Sequence, residues 1–257
     1  MTIFGSIIES KEKLPDQLVN VGVTERVGEK IPSGLLFYDE QGKKVVLSDY
    51  LKSGVPLIIN FVYFNCPMLC NLLLDGLSDG LKQLKTHPGD SYQVITISFD
   101  PADTPDLALK FKKKYLEKTG LSSDNKGWHF WVAPESSIRS ITKALGFRYK
   151  YDEDISEYAH SAMLAFITSD GVISRYLYGI QYPKNDLKLA ILGARKKETL
   201  SAIEQGLLFC YNYDPSRRTY TIHIMNLMKV LSAITVFAMG VILFKLKKQE
   251  GKFNTND

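Results

Sequence analysis

The chain has 257 residues, 45% of them apolar and 23% charged, which is the balance of an ordinary globular protein with room for one sizeable domain and an appendage. The net charge is only +4, and the lysines are scattered over helix-like stretches such as Lys110 to Lys118, which argues against a nucleic-acid-binding face. Three cysteines are too few for a disulfide-stapled scaffold, so the close pair Cys66 and Cys70 calls for a chemical explanation.

In chain order, an irregular opening over 1–29 is followed by a hairpin. Its strands are Leu35 to Tyr38 and Lys43 to Leu47 across the turn at Asp39 to Gly42, with Ser48 and Asp49 starting a short helical turn, the whole forming a lid on a sheet. Val55 to Tyr63 is a near-continuous apolar run of β-branched and aromatic residues, as expected of a central strand covered on both faces. A helix is predicted from Pro67 to about Lys85, with Leu69, Leu72, Leu73, Leu77, Leu81 and Leu84 as its apolar stripe and His87-Pro-Gly-Asp90 as its stop. The strand Gln93 to Phe99 follows.

Asp100-Pro-Ala-Asp-Thr104-Pro105 reads as a turn into a helix, with Thr104 as N-cap, Pro105 in the first turn, an end near Lys118 and Gly120 beyond it. Trp128 to Val132 is a predicted strand, and Ser136 to Leu145 a helix stopped by Gly146. Met163 to Thr168 and Ile173 to Tyr178 form a hairpin across Ser169-Asp-Gly171, and Lys184 to about Gln205 is the last helix of the domain. Alternating strands and helices with short links predict an α/β fold with helices flanking a sheet, and the closing antiparallel hairpin makes the sheet mixed.

The cysteine pair lies where the apolar strand meets a helix start, in Phe64-Asn-Cys66-Pro67-Met-Leu-Cys70. Proline is tolerated in a first helical turn because its missing N–H would have had no partner there, so Cys66 is expected at the helix entrance. Cys70, one turn on, faces the same side. Backbone N–H groups at a helix N-terminus favour negative charge and lower a nearby thiol's pKa, which suits soft-metal or redox chemistry.

Near the C-terminus, Leu227 to Leu246 is apolar apart from Lys229, Lys245, Ser232 and Thr235, and at helical rise it can cross about 30 Å of hydrocarbon. A single transmembrane helix over 227–246 is the expectation, after a linker over 207–226, with an apolar helix docked on the domain or on a second copy as the alternative. Lys245, Lys247, Lys248 and Lys252 place the tail 247–257 on the cytoplasmic side and the main domain outside the cytoplasmic (inner) membrane. That orientation calls for an export signal. Met1 to Ile8 has no positive leader and is broken by Gly5 and Ser6. An incomplete start, another export route or the opposite orientation are the alternatives.

The order of elements resembles the thioredoxin fold, and three ordered motifs resemble the Sco/SenC family more narrowly. They are Phe64-Asn-Cys66-Pro67-Met-Leu-Cys70, Ile97-Ser-Phe-Asp100-Pro-Ala-Asp103-Thr104-Pro105, and His160 before an apolar strand with Ser169-Asp-Gly171. The similarity runs from about Lys30 to Gly206, giving a domain over 30–206. It implies a membrane-anchored, extracytoplasmic, thioredoxin-like protein that binds copper, Cu(I) or Cu(II), through Cys66, Cys70 and His160. Such proteins assist assembly of the binuclear copper centre in cytochrome c oxidase subunit II, as copper chaperone, thiol reductant or both.

Two thiolates and an imidazole form a soft three-coordinate set suited to Cu(I), whereas zinc usually takes a fourth ligand. The same thiols can close into a disulfide, so a redox-active Cys66 and Cys70 pair in a thiol:disulfide oxidoreductase without obligatory metal, acting on another extracytoplasmic thiol protein, is the competing reading. Peroxide reduction is disfavoured for want of the donors a peroxidatic thiol needs. This chain departs from the family pattern at Ala159, where relatives carry an acid before the histidine, and at Asn71, where a proline is common. Asp100 is the candidate to orient the imidazole in its place. Asp100 and Asp103 are otherwise turn and capping residues, His87 and His129 structural, His223 interfacial, and Cys210 a packed or resolving thiol.

Overall fold

A lid precedes the sheet it covers. Residues 20–197, 211–214, 219–222, 232–237 and 239–240 are described by the computed structural model. The segment ahead of Lys30, expected to be irregular, contributes β1 (Gly22–Val23). The hairpin β2 (Leu36–Tyr38) and β3 (Lys44–Val46) follows, then the five-residue helix α1 (Leu47–Leu51), as the turn chemistry predicts. Phe37 stacks obliquely on Trp131 with ring centroids 5.1 Å apart, and the Tyr38 N–H donates to the Val132 carbonyl at 2.8 Å.

The apolar run becomes β4 (Leu57–Val62), buried at every position. After it come α2 (Leu69–Lys82), β5 (Gln93–Ser98), α3 (Pro105–Thr119), β6 (Trp128–Trp131) and α4 (Glu135–Ala144). Three short strands, β7 (Phe147–Arg148), β8 (Lys150–Asp152) and β9 (Glu157–Ala159), lead to β10 (Met163–Ile167), β11 (Ile173–Tyr178) and α5 (Lys184–Arg195). The main sheet has the order β11-β10-β4-β5-β6, with β4, β5 and β6 parallel and β10 antiparallel to both its neighbours. The predicted mixed sheet with a central β4 is thus what forms. Burying each of its large aliphatic side chains contributes about 1.5–3 kcal/mol, which makes this strand the fixed reference for whatever follows it.

Two helices differ from expectation at their ends. α2 begins at Leu69, so Pro67 lies in a bend ahead of it, and Met68 precedes the helix with φ −144° and ψ −67°. The physical reason lies at Cys66, whose sulfur takes the free N–H of Cys70 at 3.3 Å and so does the work of a cap from outside the helix. α5 ends at Arg195, with Lys196 as its C-cap, rather than near Gln205, and the described stretch runs two residues further. α3 keeps its predicted signals: Thr104 Oγ1 accepts from the Leu107 N–H at 3.4 Å, and Gly120 closes the helix at φ +73°.

The chain divides into a unit through Thr199 and a second from Leu200. Within the second, the stretch expected as a plain linker contains the antiparallel hairpin β12 (Tyr211–Asp214) and β13 (Thr219–Ile222), of sequence Tyr-Asn-Tyr-Asp and Thr-Tyr-Thr-Ile. Residues 232–237 and 239–240 are helical. Most of 227–246 lies outside the described residues, as do Cys210 and His223, and among the described residues no helix is long and apolar enough to cross a membrane.

Candidate metal centre

Three chain segments bring the site together. Cys66 follows β4 through the turn Tyr63 to Asn65, Cys70 sits in the first turn of α2, and His160 lies between β9 and β10. One ligand atom from each, two Sγ and an imidazole nitrogen, lie within 4.8 Å of one another, and all three residues are buried. Cys70 Sγ is 3.4 Å from His160 Nε2. Both thiols are free.

Backbone geometry fixes each side chain. The Tyr63 N–H donates to Cys70 Sγ at 3.3 Å, the Cys70 N–H donates to Cys66 Sγ at 3.3 Å, and the Cys66 N–H donates to the Tyr63 carbonyl at 3.2 Å. His160 Nδ1 is 3.1 Å from the Ser161 carbonyl, which can only accept, so Nδ1 donates there and the ring is held with Nε2 toward the sulfurs. The expectation for Asp100 is therefore corrected: the orienting group is the Ser161 carbonyl. Asp100 Oδ1 instead takes the Ala102 N–H at 2.9 Å and the Tyr158 hydroxyl at 3.5 Å. The rings of Phe99, Tyr63 and Phe147 surround the imidazole at centroid distances of 5.1, 5.9 and 6.2 Å.

Two further residues hold Cys66 in place. Asp103 is buried, accepts the Phe64 N–H at 2.7 Å and the Ser98 hydroxyl at 2.6 Å, and meets Asn65 Nδ2 at 3.4 Å. It pins the turn that delivers Cys66 to the strand end of β5, a role beyond the turn residue expected from sequence. Burial pushes its carboxyl upward, against these bonds. Asn71 Nδ2 donates to the Cys66 carbonyl at 3.1 Å, and its Oδ1 accepts from Lys114 Nζ at 3.0 Å and the Tyr115 hydroxyl at 3.1 Å. Asn71 therefore ties Cys66 to α3.

The thiols are unequal. The Cys70 thiol beside it is the largest influence holding Cys66 well below the usual thiol range, with His160 and the N–H groups of Cys70 and Met68 adding to it and burial opposing. Burial, then the Cys66 sulfur, pushes Cys70 upward. One negative charge thus rests on Cys66, while Cys70 keeps its proton. Burial and the Cys66 thiol likewise keep the Tyr63 phenol neutral.

The set suits a soft cation. With metal–sulfur and metal–nitrogen bonds of about 2.0–2.3 Å, three ligand atoms around one ion stand roughly 3.5–4 Å apart, close to the spacing already present here. His87 is exposed and His129 packs edge-on against Tyr50 at 4.8 Å, so neither joins the cluster.

Two expected results follow. The iodoacetamide rate at Cys66, read peptide by peptide, should hold its plateau down through pH 6, where a thiol of pKa about 8.5 keeps only roughly one part in 300 as thiolate. A midpoint near 8.5 would remove the charge from Cys66. Asp103→Ala leaves the Phe64 N–H and the Ser98 hydroxyl without their acceptor and should cost about 2–4 kcal/mol in urea unfolding, with Asp103→Asn recovering part of it through its remaining carbonyl oxygen. Equal stability of both variants and the native chain would show that the carboxylate does not hold the turn.

Fold and site together define a thioredoxin-like α/β domain carrying a convergent Cys, Cys, His cluster. The SCO1/SenC family model matches residues 25–190, and the chain belongs to that family. Among solved structures, a candidate electron transfer protein from Aquifex aeolicus VF5 is 26% identical, with 67% of this chain and 96% of that one covered and a TM-score of 0.59. BsSco, described with a disulfide switch and as a member of the Sco family of cytochrome c oxidase assembly proteins, is 23% identical over 67% of this chain and 97% of its own, with a TM-score of 0.53. ScoI of Arabidopsis thaliana, solved with copper bound, is 18% identical over 67% and 99%, with a TM-score of 0.52. The last two likenesses show the fold. A comparison with curated proteins found no match.

Proposed function

We propose that this protein binds Cu(I) through Cys66, Cys70 and His160 and assists assembly of a copper centre in cytochrome c oxidase, delivering copper to subunit II, reducing a disulfide of its cysteines to thiols, or both. The observation that carries the reading is the convergence of two sulfurs and an imidazole nitrogen within 4.8 Å in a buried, aromatic pocket. Family membership supports it, and so does the donor set, which is softer and smaller than a zinc site prefers. Copper is here the cargo, and the chain's own residues hold, orient and shield it. Anaerobic titration of the reduced protein with Cu(I) against a competing chelator should show one equivalent bound tightly. Absence of any binding that survives the chelator would end the proposal.

The unequal thiols favour a second use of the same site. The Cys66 thiolate attacks one sulfur of a partner's disulfide, forming a mixed disulfide and expelling the partner's other sulfur as thiolate. Cys70, on losing its proton, then attacks the Cys66 sulfur, so that a Cys66–Cys70 disulfide forms and the partner leaves with both thiols reduced. Turnover of a disulfide substrate by metal-free protein, with no tight copper binding, would make this the main activity.

The domain over 30–206 is proposed to lie outside the cytoplasmic membrane, anchored by a single helix over 227–246. The exposed apolar side chains of Ile234, Val236, Phe237 and Met239 on helical residues support the anchor. Release of the full chain from membranes by carbonate washing would exclude a spanning segment.

A further inference from the structure

A cavity of about 660 Å³ opens between α4, β7 and the β8–β9 hairpin, within the size range of ligand-binding clefts. Its wall is aromatic and runs without a break into the metal centre. Tyr151, 46% exposed, packs on Tyr158 with centroids 4.9 Å apart; Tyr158 packs on Tyr63 at 5.2 Å, and Tyr63 faces His160 at 5.9 Å. Phe99 and Phe147 line both the cavity and the imidazole.

The rim is basic. Arg139 is paired with Glu135 at 2.5 Å, and Arg26 with Glu29 at 3.0 Å. Lys143 and Arg148 are not neutralised in this way. Among the described residues, Arg148 bonds the uncharged Thr24 hydroxyl, and neither it nor Lys143 has an ion pair. Two cations without an ion pair therefore stand over an aromatic wall that reaches the ring of His160, with Asp100, held by the Tyr158 hydroxyl, as the carboxylate beside that wall. A small inorganic anion would use the cations and leave the rings idle; an extended peptide with carboxylates between aromatic or apolar side chains uses both.

We propose that this groove docks an acidic, extended segment of the protein that meets the Cys66, Cys70 and His160 site, with Lys143 and Arg148 as its charge anchors and Tyr151 and Tyr158 as its stacking surface. The proposal rests on the reading that a partner protein comes to that site, but its test needs neither copper nor turnover.

The probe is a short fluorescein-labelled peptide of alternating glutamates and tyrosines, titrated by anisotropy into the reduced, metal-free full chain at low and physiological salt. Binding is expected, and Lys143→Glu with Arg148→Glu should weaken it about tenfold or more. Lys143→Glu alone, on an exposed helix position, should give part of that loss without a change in melting temperature, which guards against a folding defect from removing the Arg148 contact. Tyr151→Ala should weaken binding severalfold. Reversing Lys110 and Lys113 on α3, which packs against β6 and α2 and does not line the groove, should leave the affinity unchanged. Equal losses from both reversals would mean non-specific charge attraction and overturn the proposal. So would failure of the peptide to bind, or sedimentation showing that the groove is instead the contact between two copies of this chain.

Discussion

Cys70→Ser is expected to abolish tight Cu(I) binding while leaving the fold standing. The side chain is fully buried, and its sulfur takes the Tyr63 N–H, so serine keeps an acceptor for that donor where alanine would leave it unpaired at a cost of about 1–3 kcal/mol. The serine hydroxyl is a hard oxygen that does not ionise near neutral pH. What remains for copper is one thiolate and one imidazole. The loss should exceed the roughly 10–100-fold that removing an outer partner of a metal ligand costs, and competition with a Cu(I) chelator reads it directly. Cys66→Ser should do the same, and His160→Ala should lie between these variants and an outer partner, because both sulfurs survive. The sign of the pH dependence follows from Cys70. Its folded pKa is raised, so it enters the site as a thiol and must release a proton to ligate, and apparent Cu(I) affinity should fall as pH falls by about tenfold per unit for that ligand. Tight binding unchanged in all three variants, or affinity independent of pH, would remove these residues from the site.

Gly76→Ala should destabilise the domain by about 3 kcal/mol or more, against the sign that helix propensity gives. In an open helix the same change stabilises by about 1 kcal/mol. Gly76 lies in α2, and a Cβ there would stand 2.0 Å from the Ile180 carbonyl oxygen and 2.7 Å from its carbon. Backbone atoms between β11 and α5 cannot swing aside as a side chain can, so either the helix or the crossing segment must move. Gly80, one turn on, meets Leu187 Cδ1 and the Tyr182 carbonyl at 2.5 Å, so the crossing is close along two turns. Because α2 also presents Cys70, the shift should loosen the site as well as the fold. Gly193→Ala in α5 is the control. A Cβ there meets only Ser174 Oγ at 4.0 Å, and it should be neutral or stabilising by up to about 1 kcal/mol. Urea midpoints with an unchanged slope measure both. A stable Gly76→Ala would show that the segment 180–182 does not press on α2.

Much of the architecture was legible because its signals are local. The apolar run at 55–63, the Thr104 and Pro105 start with its Gly120 end, and the Ser169-Asp-Gly171 turn each set an element by short-range sterics and hydrogen bonding, and each element formed. What was not legible came from contacts between distant segments. The β8–β9 hairpin that delivers His160 is two three-residue strands with no strong turn signal, held instead by rings of Tyr63, Phe99 and Tyr149 packing on Tyr158. Asp103 looked like a turn residue because nothing nearby in sequence shows that it reaches Phe64, and the Ser161 carbonyl was invisible because backbone acceptors carry no residue signature.

The sequence by itself determined the α/β order, the strand-to-helix setting of Cys66 and Cys70, and, through its ordered motifs, the family. These depend on neighbours a few positions apart, where chemistry and spacing act directly. The tertiary structure decided that His160 Nε2 arrives 3.4 Å from Cys70 Sγ, that Cys66 is the charged thiol, and that Phe99 and Phe147 line both the imidazole and a neighbouring groove. Those outcomes depend on burial and on meetings across 90 residues of chain, which no local pattern encodes.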